Sequence, residues 1–182
     1  MAINTDIRRR KFIRLQEYDY SSAGAYFVTI CTHDRECLFG TVADEKIVLN
    51  DTGRIVESEW LKTAEIRANV STDAYIVMPN HVHGILFIQE PDDGRGTVHR
   101  APTVEQFGKP TSNSIPTIIR SFKATVTKQI NEFRQTPGQK VWQRGFYDRI
   151  IRDENELNNI REYIIYNPLK WHEDKDNPAN WK

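Results

Sequence analysis

Residues 73–88 read DAYIVMPNHVHGILFI, and the reading of this stretch decides the fold. Asp73 to Met78 is rich in β-branched and aromatic residues and reads as a strand. Pro79-Asn80 is a turn signal, and Val82 to Ile88 reads as a second strand, tightly joined to the first. His81 and His83 stand at the start of that second strand. Side chains alternate along a strand with period two, so both imidazoles project from one face and Val82 from the other. Two imidazoles so placed can share a metal ion, since neutral histidine is the commonest nitrogen ligand. A bare His-x-His is equally read as a packed or surface pair.

Working outward, Ala25 to Thr32 (AYFVTICT) is a further strand and residues 37–49 a short hairpin. Asp51 or Thr52 is expected to cap a helix running to about Asn69, with Ile55, Glu59 or Trp60, and Ile66 near helical spacing and Val56 and Leu61 widening the stripe. Residues 89–113 hold three prolines, three glycines and little periodicity, which makes a long loop. Ser114 is expected to cap the next helix, with Pro116 in its first turn. Its apolar stripe is Ile115, Ile118 or Ile119, Phe122, Val126, Ile130 and Phe133. Val141 to Ile151 (VWQRGFYDRII) reads as a strand with an irregular start. Asp153 with Glu156 opens a last helix as a variant capping box, striped by Leu157, Ile160 and Ile164. Asn167-Pro168 is expected to end it, because a residue before proline is pushed out of the α region.

The order is strand, helix, strand, strand, helix, strand, helix. That is α+β: an antiparallel sheet of about four strands with helices on one face, in a ferredoxin-like or RNA-recognition-motif-like (RRM-like) arrangement. The 182 residues suit a single domain over 1–182, with a basic N-terminal arm (1–20), the 89–113 loop and a C-terminal tail (168–182) whose two tryptophans suggest docking.

Composition excludes several classes. With 38% apolar and 27% charged residues, the chain is neither collagen-like nor wholly disordered. Its longest apolar run, Ile85-Leu86-Phe87-Ile88, is far short of the ~20 residues of a membrane helix, and no secretory signal is visible. Cys31 and Cys37 are too few for a disulfide scaffold and are expected as free thiols.

The formal net charge is zero, with 25 basic against 25 acidic residues, but the distribution is uneven. Residues 115–152 carry eight basic and two acidic side chains, a local excess of six. Such a patch either attracts phosphate or is a solvated helix face. Arg120, Lys123, Lys128, Arg134, Lys140, Arg144 and Arg149 can track a phosphate backbone. Trp142, Phe146 and Tyr147, interleaved with them, either stack bases or pack the core. The Arg8-Arg9-Arg10-Lys11 run is either a backbone-contacting arm or a solvating tail.

Tyr163 lies on the last helix and Asn167 follows one turn later, so both fall on one helical face. Spacing alone favours a core-edge aromatic and a helix C-cap. The alternative is a nucleophile and an amide ligand at one site.

Three ordered segments then carry a resemblance: Tyr75-Ile-Val-Met-Pro-Asn-His-Val-His-Gly-Ile-Leu-Phe-Ile88, Trp142-Gln-Arg-Gly-Phe-Tyr-Asp-Arg-Ile-Ile-Arg152 and Tyr163-Ile-Ile-Tyr-Asn-Pro168. Together they resemble the single-tyrosine HUH transposases of bacterial insertion sequences and, most closely, the REP-associated tyrosine transposases. The resemblance spans about Tyr26 to Trp171. It implies the RRM-like fold, His81, His83 and Asn167 as ligands of Mg²⁺ or Mn²⁺, and Tyr163 as the nucleophile, with Tyr166 and Tyr147 as lesser candidates. It implies cleavage and rejoining of single-stranded or hairpin DNA through a 5′-phosphotyrosine, in the cytoplasm on the nucleoid and with no membrane partner. Relatives act as monomers or as homodimers that exchange helices, so either assembly is open. DNA contacts are expected from Arg120, Lys123, Lys128, Trp142, Arg144 and Arg149. The lack of a GxxxxGK[ST] run agrees with a reaction that needs no nucleotide cofactor. The rival functions are a domesticated module that binds DNA or RNA hairpins without cutting, and an unrelated metallohydrolase built on the histidine pair.

Overall fold

A computed structural model describes residues 18–90, 111–174 and 176–180. Residues 1–17 of the arm at 1–20, and most of the 89–113 loop, lie outside the described residues. Six strands form: β1 (Gly24–Cys31), β2 (Gly40–Ala43), β3 (Lys46–Leu49), β4 (Val70–Met78), β5 (His81–Ile88) and β6 (Tyr147–Ile151). Three α-helices accompany them: α1 (Asp51–Glu65), α2 (Ile115–Arg134) and α3 (Glu154–Ile165). The main sheet has the order β4-β5-β1-β6, antiparallel throughout, and β2 pairs with β3 in a separate ribbon.

The expected hairpin is present. Met78 pairs with His81 across Pro79-Asn80, and Val77 with Val82. The period-two alternation then sorts the sheet into two apolar layers. Tyr26, Val28, Ile30, Val82 and Leu86 face α1 and α2, where Val56, Trp60, Ile118, Phe122 and Val126 complete the larger core. Phe27, Ile85 and Ile151 face the other way, against Leu157 and Ile164 of α3. The sheet is thus covered on both sides: α1 and α2 on one face and the tyrosine-bearing α3 on the other.

The ends of the elements refine several sequence-based expectations. Asn50, not Asp51 or Thr52, caps α1. It has extended dihedrals, and its side chain accepts from Gly53 N at 3.0 Å, while the Thr52 hydroxyl donates to the Leu38 carbonyl. The helix stops at Glu65, which leaves Ile66 beyond its end and 68% exposed. Ser114 occupies the N-cap of α2 without a side-chain cap bond and donates instead to the Thr117 hydroxyl, 3.2 Å away. Phe133, one turn past the last buried position Ile130, is exposed. The 141–151 strand shrinks to Tyr147–Ile151, preceded by a single bridge from Trp142 to Thr32. Asp153 caps α3 as expected, accepting from Glu156 N at 2.8 Å.

Asn167 departs from the rule for residues before proline. Its dihedrals are φ −58° and ψ −42°, inside the α region, and Pro168 opens a 3-10 turn over Pro168–Glu173. The bias against helical geometry is outweighed by burial of both residues and by a hydrogen bond from Lys170 N to the Asn167 carbonyl. Helix α3 ends at Ile165 with Tyr166 as its C-cap (φ −89°, ψ 4°), and Asn167 returns to α-region dihedrals as the residue that opens the 3-10 turn.

Candidate active site

The site lies where β5, β1 and α3 meet. His81 and His83 project from the α3 face of β5, both buried, with ring centroids 4.4 Å apart. β1 supplies the floor. Thr29 pairs with His83, and its hydroxyl lies 2.9 Å from His83 Nδ1. Phe27, two residues earlier on the same face, stacks on the His83 ring at 5.4 Å. His81 is held from the turn, its Nδ1 being 2.8 Å from Asn80 Oδ1. Trp171, in the 3-10 turn after α3, brings its ring to 6.1 Å from that of His81.

Helix α3 lays Tyr163 over this pair. Its hydroxyl reaches His83 Nε2 at 3.2 Å, yet the residue stays 47% exposed on its other side. Partial burial raises the phenol above its ordinary pKa, and the carboxylates of Asp174 and Asp176 push the same way, while a hydrogen bond with Asn167 opposes them. An open cleft of about 430 Å³ flanks the phenol, lined by Tyr163, Tyr166, Asn167, Lys170 and Asp174 among others.

A ring nitrogen of His83 and a phenol 80 residues away in sequence thus meet within one chain. Asn167 adjoins the phenol, buried, and its Oδ1 has no hydrogen-bond partner among the described residues. A buried acceptor left unpaired costs free energy unless something fills its lone pairs, and a divalent cation does so. Among the described residues no three His, Cys, Asp or Glu side chains cluster to hold a metal. The available donor set is two imidazoles and one amide oxygen. It leaves coordination positions open, unlike a closed structural zinc site.

The residues singled out for DNA contact are dispersed. Arg149 lies opposite Phe27 in the β1–β6 register and so shares the face of the site, exposed and ion-paired with Glu156. Arg144 is exposed just before β6. Arg120 and Lys128 are exposed on α2, behind the sheet, with Lys128 3.9 Å from Glu132. Two expectations need correcting. Trp142 is 7% exposed and packs against Phe39 and Phe122 in the larger core, so no base can stack on it. Lys123 turns inward, its ammonium donating to the carbonyls of Gln143 and Gly145 at 2.6 and 2.9 Å, so it braces the chain entering β6.

Sequence reasoning passed over Asn80, Thr29 and Phe27. Asn80 read only as a turn residue, although it directly precedes the first histidine. The two β1 residues become site residues only through the β1–β5 register, which no local pattern encodes.

No family model matches the chain. Two relatives from Haemophilus influenzae do. One, of uncharacterised function, is 40% identical over 175 residues, covering 94% of this chain and 95% of that protein. The other, named as a candidate REP-associated tyrosine transposase, is 30% identical over 152 residues, covering 84% of this chain and 74% of its own length. The fold is shared with a solved REP-associated tyrosine transposase bound to a REP hairpin, at a TM-score of 0.55 and 19% identity over 81% of this chain and 68% of that one. Sequence kinship along most of both chains, joined to the common fold, makes this chain a member of the REP-associated tyrosine transposase family.

Proposed function

We propose that the chain is a DNA strand transferase that cuts and rejoins single-stranded or hairpin DNA, with Tyr163 as its nucleophile. The observation that carries this reading is the Tyr163 hydroxyl, 3.2 Å from His83 Nε2 and open to a cleft on its other side. The substrate class is supported by the solved relative, which is bound to a REP hairpin.

In this reading Tyr163 Oη attacks the scissile phosphorus. The Oη–P bond forms and the P–O3′ bond breaks, giving a 5′-phosphotyrosine, and the proton lost by the phenol is balanced by the one gained at the 3′-hydroxyl. Attack by the 3′-hydroxyl of another end reverses the step. One phosphodiester replaces another, so no nucleotide is consumed. Mg²⁺ or Mn²⁺ held by His81, His83 and Asn167 would polarise the phosphate and stabilise the charge that develops on it. The chain's own part is orientation. Thr29 and Phe27 fix the His83 ring, and α3 delivers the phenol from the accessible side. No helix among the described residues is long and apolar enough to cross a membrane.

The test is a hairpin-flanked single-stranded oligonucleotide incubated with the chain and Mn²⁺. A covalent protein–DNA adduct is expected, absent in Tyr163→Phe and present in Tyr166→Phe. An adduct that persists in Tyr163→Phe refutes the nucleophile, and hairpin binding with no adduct in the unaltered chain points to a non-cleaving module.

A further inference from the structure

Asn80 is wholly buried, and its amide is committed at both ends. Nδ2 donates to the carbonyl oxygens of Arg35 at 3.0 Å and Asp176 at 2.6 Å. Carbonyls only accept, so the nitrogen must face them and Oδ1 must face the other way. That oxygen lies 2.8 Å from His81 Nδ1. An amide oxygen also only accepts, so the hydrogen of the neutral ring sits on Nδ1 and the lone pair on Nε2. This is the ring form that a ligand binding through Nε2 requires, and partners of this kind orient metal-bound imidazoles. His83 has no comparable constraint from Thr29, because a hydroxyl both donates and accepts.

One of the two carbonyls that orient Asn80 comes from 96 residues downstream. Asp176 is anchored there by an ion pair between its carboxylate and the Arg35 guanidinium, each side chain about nine-tenths buried. The Asn80 carbonyl in turn accepts from Thr32 N and Oγ1 at 2.9 and 3.0 Å, which leaves its backbone little freedom.

We propose that Asn80 is a positioning residue for the histidine pair, and that the segment around Asp176 acts through it to hold His81 in the Nδ1–H form. The relevance to metal binding rests on the strand-transferase reading. The ring form itself is a property of the metal-free chain.

Long-range proton–nitrogen correlation spectra of the full metal-free chain, near pH ~8 where histidine is neutral, read the ring form directly. His81 is expected as Nδ1–H. Asn80→Ala is expected to mix the two forms and to weaken Mn²⁺ binding, measured calorimetrically, by about 10–100-fold. Asn80→Asp turns the donating Nδ2 into an oxygen that faces two carbonyl oxygens, so it is not expected to restore the single form. Asp176→Ala, which leaves the turn intact, is expected to give a partial mixture, and His83 should be unchanged in all three. An Nε2–H ring in the unaltered chain overturns the proposal, as does an Nδ1–H ring or an unaltered Mn²⁺ affinity in Asn80→Ala. If Asn80→Ala does not fold, a pure Nδ1–H ring with unaltered affinity in Asp176→Ala overturns it instead. A chain that shows the Asn80-dependent ring form yet never cuts DNA defeats the strand-transferase reading and leaves this one standing.

Discussion

Arg161 Nε and Nη2 both close on a single oxygen of Asp73, Oδ2, at 2.8 and 2.6 Å. Asp73 stands in the register break of β4 between Thr72 and Tyr75, and its other oxygen accepts from Ala74 N at 2.8 Å. A bulge re-aims a side chain, and here it offers a carboxylate to α3. Arg161 precedes Tyr163 by two residues, so this pair ties the helix that carries Tyr163 to the edge of the sheet.

Arg161→Met keeps the apolar stem and removes the tie. The pair is partly exposed, and such pairs contribute little to global stability. The denaturation midpoint is therefore expected to move little. Adduct formation is expected to slow by about tenfold or more, because a small misplacement of a reacting group costs rate steeply. Hydrogen exchange should quicken over α3 and stay constant in β1 and β5. An undiminished cleavage rate defeats the idea that this anchor positions Tyr163.

Gly84 is the one residue of the histidine strand where only glycine fits. A Cβ there would come within 2.2 Å of Trp60 Cζ2, and Trp60 is fully buried. Gly84→Ala is expected to destabilise the chain by about 1–3 kcal/mol or more in urea unfolding, the usual cost of overpacking. It should also disturb the adjacent His83 by shifting β5. A midpoint equal to that of the unaltered chain would show that the Trp60 ring moves freely.

The histidine hairpin was legible in the sequence because its signals are local: β-branched runs, a Pro-Asn turn and a period-two alternation. The Asp153 cap and the apolar stripe of α2 were legible for the same reason. The placement of α3 opposite α1 and α2 was not, since periodicity shows that a helix has an apolar face but not which layer it joins. Trp142 and Lys123 show the same limit. An aromatic among basic residues and a lysine on a basic helix look alike whether they meet DNA or the interior. Only the packing of Trp142 on Phe39 and the two carbonyls at Lys123 decide it.

Arg149 and Trp142 should therefore part company in DNA binding. Arg149 is exposed on the face of the site, and its ion pair with Glu156 gives way readily to phosphate. Arg149→Ala is expected to weaken hairpin binding about equally across sequences and to lower the salt slope by about one. Trp142→Ala is expected to cost about 3–5 kcal/mol of stability as a core truncation, with binding per folded molecule retained. Fluorescence titrations at several salt concentrations, set beside urea curves, separate the two. A sequence-selective loss in folded Trp142→Ala would return that ring to the DNA.

Lys123 makes stability depend on pH in an unusual direction. Burial pulls its pKa down from the ordinary lysine value to about 8. In the unfolded chain it titrates near ~10.4. Between these values the unfolded chain binds more protons than the folded one, so this lysine makes stability rise as pH increases from about 8 to 10. The reason is that deprotonation relieves a charge held out of water. Tyr26, Tyr75 and the Cys37 thiol are all raised by burial and act oppositely, losing stability as their unfolded forms ionise. The contribution of Lys123 is therefore read as a difference. Lys123→Met is expected to show a urea midpoint that falls more steeply over about pH 8–10 than that of the unaltered chain. Parallel curves would mean that the two carbonyls stabilise the ammonium enough to cancel its burial.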